Sequence, residues 1–398
     1  MVSKCWLIPL VLMALVAAAS AAGAQPVKGL GTTLNHLTST STYRVFNDLM
    51  KQSTVFVPYE ITWSWVPGRK WGGYNLAFGN DLYPTSLDYR VYAGADITFF
   101  PGIDDALVGK TYEVQFSGSG MIGVYQSGSV GFNITVNTSQ VGTFTLASLS
   151  KLIVYVYFTD TTNLVRSIRI TPVGEASTFT SNFLTYAGGF DIYRFCNWEG
   201  ESLNRLRSPI TPLTWNKRIT PASATQISSA GIAYEHIIEF ETITGKVGWY
   251  CIPEAADSAY ISNMAQLFST TRDPNKMMYL EYANVYSLMN DVPDNVTTPR
   301  FDNWMTNYGT TYRSKVLFVI SYTDIQYFIN AMGGGARNPP VNWTYIDAIG
   351  MDGWFGDLNV LNAYGLSDAD LKTFIVSQEL LKETTYWTAS QLAALKGV

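Results

Sequence analysis

Met277-Met278-Tyr279-Leu280-Glu281-Tyr282-Ala283-Asn284-Val285-Tyr286 follows the turn signal Asp273-Pro274-Asn275-Lys276. An apolar, aromatic run bounded by turn residues predicts a buried strand. A buried strand that carries a Glu and runs on to an Asn needs partners for those groups, because enclosing an unpaired polar side chain is costly. The run is therefore where a site is expected.

On either side of it, from about residue 175 onward, strand patterns alternate with helix patterns. Asp191-Ile192-Tyr193-Arg194-Phe195-Cys196-Asn197-Trp198 predicts a strand, and a helix follows near Gly231 to Thr242. Val247-Gly248-Trp249-Tyr250-Cys251-Ile252-Pro253 predicts the next strand, before a helix with Tyr260, Ile261, Met264 and Leu267 on one face. Lys315 to Tyr322, a short helix, and Ile346 to Asp352 continue the pattern. Such alternation predicts parallel β/α units that build a barrel or an open sheet. After Gly356 only helix signatures follow, Ser367-Asp368-Ala369-Asp370 capping a run through Leu380, and Thr388 to Leu395. That leaves about six strands where a closed barrel has about eight, so either the barrel is truncated or another chain completes the sheet.

The first half of the chain has a different period. From 61 to 174, short alternating runs such as Arg90 to Gly94, Tyr112 to Ser117, Gly131 to Val136, Leu152 to Phe158 and Val165 to Ile170 predict an inserted antiparallel β-sandwich. Residues 25–60 read as a lead-in, in which Gly29 to Asn35 is a candidate first barrel strand and Val45, Phe46, Leu49 and Met50 fall on one face of a helix. Trp63, Trp65, Trp71, Tyr74 and Tyr83 are either a sugar-stacking platform or core; core is the simpler reading, because large aromatics usually supply core area.

Composition narrows the class. The chain is 47% hydrophobic and 14% charged with net charge −5, which gives a folded, core-rich protein without the basic footprint of a nucleic-acid binder. Residues 1–24 carry Lys4, an apolar core and an Ala22-Gly23-Ala24 end, the three parts of a secretory signal peptide. No later run approaches about 18 uninterrupted apolar residues, so no membrane span is expected. Sequons at Asn133, Asn137, Asn295 and Asn342 would accept glycans in a eukaryotic host. Removing the signal leaves Cys196 and Cys251, which fit either a disulfide or two buried thiols. With only His36 and His236, neither a His-based metal site nor a Ser-His-Asp triad is expected, and no cofactor is implied.

The Glu281-Tyr282-Ala283-Asn284-Val285 segment resembles the fourth strand of clan A glycoside hydrolase barrels, and most closely a group of secreted two-domain bacterial glycosidase-like proteins whose segment reads Glu-Tyr-Ser-Asn-Glu-Val-Trp-Asn. In those proteins the Asn positions a sugar hydroxyl and the Glu after it is the general acid/base. Here Asn284 is kept and Val285 stands in place of the acid. Tyr193-Arg194-Phe195-Cys196-Asn197-Trp198 is similar to their Arg-Phe-Met-Asp-Trp motif, with Arg194 and Trp198 kept and Asn197 in place of Asp. Trp249-Tyr250-Cys251-Ile252-Pro253-Glu254 resembles their Trp-Phe-Asn-Met-Pro-His, and Asp347 to Gly356 their Asp-Ala-…-Tyr-Phe-Gly. The strand that would bring the nucleophile is missing. The resemblance spans about residues 29–357 as several short motifs.

What this resemblance implies is a two-domain fold, a β-sandwich inserted at 61–174 and an incomplete (β/α)8-type barrel over 175–398. It implies Arg194, Asn197, Trp198, Trp249, Asn284 and Trp354 as residues that contact a polysaccharide or glycan. A retaining glycosidase needs two carboxyl groups about 5 Å apart. Glu281 faces the same way as position 285 but about 13 Å deeper at strand rise, which suits a buried carboxylate paired with Arg194 or a hydroxyl. Glu254, Asp352 and Asp357 lie at strand ends, and Glu254 with Asp352 is the pair that relocated catalysis would use. Asp257, before Ser258-Ala259-Tyr260, reads as a helix N-cap. The expected function is a secreted glycosidase-like carbohydrate binder that has lost catalysis. The alternatives are an active hydrolase with relocated acids and an extracellular matrix or cell-surface protein.

Overall fold

The computed structural model describes residues 31–34, 36–41, 43–61, 67–70, 74–87, 91–126, 136–137, 142–199, 213–228, 230–282, 294–322 and 347–351. Among them the strands are β1 (Gly31–Thr33), β2 (Val57–Ile61), β3 (Pro67–Lys70), β4 (Val91–Ile97), β5 (Thr111–Ser117), β6 (Gly120–Gln126), β7 (Val136–Asn137), β8 (Gly142–Thr145), β9 (Leu152–Thr159), β10 (Arg166–Pro172), β11 (Ile192–Arg194), β12 (Val247–Ile252), β13 (Met278–Tyr282), β14 (Val316–Tyr322) and β15 (Ala348–Met351). The α-helices are α1 (Ser181–Ala187), α2 (Tyr234–Thr244), α3 (Ser258–Thr271) and α4 (Asp294–Tyr308). They divide into two compact units, one within Leu30–Lys246 and one beginning at Val247. Residues 1–24, expected from the sequence to be a signal peptide, lie outside the described residues, as do Trp63, Trp65, Trp71 and the two stretches of C-terminal helix pattern.

In the first unit β2 to β10 form two antiparallel sheets, ordered β3-β2-β4-β9-β6-β7 and β10-β5-β8. Their apolar residues share one core: Ala93, Ala95, Ile122, Val124, Val154 and Val156 from the larger sheet, with Tyr112, Val114, Phe116, Ile168 and Ile170 from the smaller. Tyr83 belongs to the same core, so its aromatic ring is structural. On β5 burial alternates along the strand, as a sheet with one solvated face demands. On β4 every position is buried, because a second layer of Tyr59, Tyr92 and Tyr155 covers its outer face. Gly94 makes room for that layer: a Cβ there would lie 2.6 Å from the Tyr59 ring. Asp96, on the same face, accepts from Tyr59 Oη at 2.8 Å and pairs with Lys151 Nζ at 2.9 Å.

β1 lies parallel to β11 in the register Gly31↔Ile192, Thr32↔Tyr193 and Thr33↔Arg194, with all of β2 to β10 between them in sequence. The lead-in that follows β1 is not the amphipathic helix its apolar spacing predicts. Only Leu49–Gln52 forms a 3₁₀ turn, capped by Asp48, while Phe46 bridges Phe179 in an antiparallel pair. The four apolar residues are buried as expected, but side chains hold the backbone in another shape. Gln52 Oε1 accepts from the Val45 and Phe46 amides at 2.6 and 3.2 Å, and Asp48 Oδ1 accepts from Met50 N at 3.1 Å and from Ile170 N of β10 at 2.9 Å. Desolvation raises the Asp48 carboxyl and lowers the Lys51 ammonium from their ordinary values.

The second unit has four parallel strands in the order β12-β13-β14-β15. The turn before β13 forms as the sequence predicts, with Asn275 N donating to Asp273 Oδ1 at 3.0 Å. Asp257 caps α3, accepting from Tyr260 N at 2.7 Å. The buried face of α3 is Tyr260, Ile261, Met264, Ala265 and Phe268, so Phe268 takes the place expected of Leu267. Helix α4 has no counterpart in the sequence reading, because Pro299 and a run of Asn, Thr and Asp hide it. Its stripe of Phe301, Trp304, Met305 and Tyr308 is nonetheless at helical spacing and buried. Phe301 stacks on Phe318 of β14 at 4.1 Å, and Trp304 meets Phe268 of α3 edge-on at 5.2 Å. No described helix is long and apolar enough to cross a membrane.

Candidate functional site

In the first unit, β11 ends at Arg194, earlier than the run to Trp198 predicts. The chain turns there: Trp198 N and Glu199 N both donate to Phe195 O, at 2.7 and 2.9 Å. Arg194 is half-buried at the strand end, and its carbonyl accepts from Leu34 N at 3.1 Å, extending the β1 pairing. Asn197 is half-buried, and its carbonyl faces His36 Nδ1 at 3.2 Å, so that nitrogen carries the proton in this contact.

Trp198 departs from the sequence expectation. Its side chain is 0% exposed and packs on Phe183, Phe195 and Phe240 with ring centroids 5.9 Å away in each case. It belongs to the aromatic core around α1 and α2, where a glycan has no access to its faces. The physical reason is the turn after Arg194, which directs the chain back over that core.

In the second unit the register decides which side chains meet. Cys251 of β12 lies opposite Glu281 of β13, and Trp249 opposite Tyr279, so these residues line one face of the sheet. Tyr250 points the other way and meets Phe268 of α3 at 4.7 Å. On the face away from α3, Glu281 is fully buried, and its Oε2 accepts from Trp249 Nε1 at 2.9 Å and from Cys251 Sγ at 3.6 Å. Trp249 and Tyr279 adjoin with ring centroids 5.5 Å apart. The sequence expects Arg194 or a hydroxyl as the partner of a buried Glu281; in the structure the Trp249 indole and the Cys251 thiol donate to it, because the register of β12 on β13 sets them beside it. Cys196 and Cys251 are both buried, as thiols and not as a disulfide. Among the described residues, no group of three His, Cys, Asp or Glu side chains could hold a metal ion.

Glu254 is half-buried in the connection after β12, where Ala256 N donates to Pro253 O at 3.0 Å. Arg300 of α4 ties this connection down through a hydrogen bond to Ala256 O, with its guanidinium 4.9 Å from the Tyr282 ring centre. Asn284, Val285, Asp352, Trp354 and Asp357 lie outside the described residues. Of the expected site, then, Arg194 closes β11 with Asn197 three residues on, and Trp249 and Glu254 lie on and just after β12. What the sequence reading missed is the role of Cys251. Its spacing of two from Trp249, beside a strand that carries a Glu, was the available signal.

No protein-family model matches the chain, and no curated protein matches it in sequence. Solved structures with weak similarity include carbohydrate esterases and glycosidases. A family two carbohydrate esterase from Clostridium thermocellum in complex with cellohexaose is 9% identical, with 62% of this chain and 88% of that one covered at a TM-score of 0.20. A peptidoglycan O-acetylesterase is 11% identical, covering 94% and 96% at 0.22. A β-glucuronidase from Parabacteroides merdae is 10% identical, covering 75% of this chain and 37% of that one at 0.23. Similarity at these scores carries no argument about fold or function.

Proposed function

We propose that the chain is a secreted carbohydrate-binding protein, a β-sandwich joined to an incomplete (β/α)8-type barrel derived from a glycosidase that has lost catalysis. The observation that carries this reading concerns β13 and its continuation. The carboxylate within the strand, Glu281, is enclosed and hydrogen-bonded to Trp249 and Cys251, and the position after Asn284, where the resemblance puts the proton donor, is Val285. One carboxylate is committed to structure and the other is replaced by a hydrocarbon. Supporting the barrel is the burial of all five residues of β13, beside a β12 whose Tyr250 meets α3 on one face while its Cys251 is enclosed with Glu281 on the other. Parallel strands enclosed on both faces belong to barrel walls or doubly wound sheets, and the resemblance selects the barrel.

The test is a glycan array run beside a reducing-sugar assay on the purified protein. Binding without sugar release is expected, and release would overturn the loss of catalysis. A second reading rests on Glu254, half-buried where a strand ends and barrel sites are built. If release is found, Glu254→Gln should abolish it; unchanged hydrolysis would remove Glu254 from the reaction.

A further inference from the structure

The 3₁₀ turn Leu49–Gln52 ties the lead-in to two other segments of the first unit, and the acid at its head is held in an unequal way. Asp48 Oδ1 accepts two amides, Met50 N of the turn and Ile170 N of β10, whereas Oδ2 is enclosed and meets no donor. A protonated acid fits that arrangement. Its carbonyl oxygen has two lone pairs for the two N–H groups, and its hydroxyl oxygen calls for no donor; a carboxylate would present about four acceptor sites and leave one charged oxygen bare. An enclosed charge without a donor loses its water and gains nothing in return.

The cation on the same turn does not make up that loss. Lys51 Nζ donates to the Pro221 and Ser223 carbonyls at 2.6 and 3.0 Å, and among the described residues it forms no ion pair with Asp48. The connection that receives it, 219–226, carries no charged side chain of its own. It is bound to the turn a second time, with Gln226 N donating to Lys51 O at 2.9 Å and Thr225 Oγ1 to Ser53 O at 2.6 Å. From β10, Arg169 attracts the carboxylate form, but less than Lys51 does. From the sandwich core comes the Tyr83 phenol, which burial keeps neutral and whose Oη accepts from Ile168 N at 2.8 Å. Asp81 and Arg166, beside Tyr83, are paired with each other at 2.5 Å. Burial outweighs these attractions and raises the Asp48 carboxyl.

We infer that Asp48 is a proton-operated latch: with its proton on Oδ2 it seats the turn against β10, and when the Oδ2–H bond breaks and the proton passes to solvent water, the joint loosens. Because the same turn holds the 219–226 connection through Lys51, the loosening reaches the lead-in, the sandwich and the approach to α2 together. The fold therefore tightens in acid, a property that does not depend on glycan binding. A carboxyl raised above its ordinary 3.8 contributes stability that is complete below that value and is lost as pH rises through the folded value.

The experiment is a pH titration of the full chain followed by infrared spectroscopy and by denaturant unfolding. The wild type should keep a protonated-acid carbonyl band above the range of about pH 4–5 in which ordinary carboxyls have ionised, and Asp48→Asn should lack it. The amide of Asp48→Asn is the neutral counterpart of the protonated acid, so above pH 3.8 the unfolding constant of the wild type should rise relative to the variant's by up to about tenfold per pH unit until the folded value is passed. Protection of the Ile170 amide against hydrogen exchange should fall over the same window in the wild type and stay level in Asp48→Asn. Should Asp48→Asn fail to fold, the wild type's infrared band and Ile170 protection decide alone. A carboxyl that titrates at or below 3.8, or unfolding constants that run in parallel with pH, would overturn the inference and leave Asp48 as the cap of its turn only.

Discussion

Strands β5 and β13 each carry a glutamate, and the two residues have opposite fates. Glu113 is half-buried on β5, between the buried Tyr112 and Val114, and reaches solvent with every other residue of its strand. Glu281 sits in a strand buried at all five positions and is hydrogen-bonded within the sheet. An antiparallel sheet can leave one face wet, whereas parallel strands covered on both sides leave none. The lesson is that chemistry cannot be presented from the middle of a strand such as β13. It belongs to the residues at and just after the strand ends, which is where Arg194, Asn197 and Glu254 lie.

Substitutions test this contrast at several strengths. The largest effect is expected where an aromatic just past a parallel strand is core: Trp198→Ala should cost about 3–5 kcal/mol in denaturant unfolding. A loss below about 1 kcal/mol would return Trp198 to the surface and to glycan contact. Glu281→Gln should cost about 1–3 kcal/mol by the same measurement, because hydrogen bonds to an enclosed carboxylate are strong and their donors stay buried. Glu113→Gln should stay within about 0.5 kcal/mol, and equal costs for the two would erase the contrast.

β4 sharpens the comparison, being antiparallel yet buried throughout under its tyrosine layer. Gly94→Ala should cost about 1–3 kcal/mol by overpacking against Tyr59, and a neutral result would mean that the layer is loose. The smallest effect is expected at Glu239 of α2. The hydrogen bond from His236, and then one from Thr178, hold its carboxyl below the ordinary 4.5. A depressed folded value gives stability that is present above about pH 4.5 and lost as pH falls through the folded value. Glu239→Gln should therefore be less stable than wild type at pH 7, with the two melting temperatures converging in acid. A gap that persists or widens there would break the assignment.

The parts of the fold that follow from local pattern were legible: the alternation of β5 and β10, the apolar run of β13, the Asp273 turn and the Asp257 cap, whereas β9, read as alternating, is buried at five positions in a row. Where side chains override spacing, the pattern misled. Val45 to Met50 has the spacing of a helix face, yet Gln52 and Asp48 take up the amides a helix would have used. α4 was hidden because Pro299 and its polar residues outweigh, in one dimension, a stripe that only burial makes visible.

For the candidate site the division is similar. The sequence by itself determined which residue types stand at each strand end, and that a valine follows Asn284. It also determined that a glutamate inside an apolar strand must find partners, since enclosing it unpaired would cost too much. Only the tertiary structure decided who those partners are, because the parallel register of β12 on β13 brings Trp249 and Cys251 to Glu281 across about thirty residues of chain. It likewise decided that Trp198 is core. Packing between distant segments fixes which side of a ring is covered, and no local pattern records that.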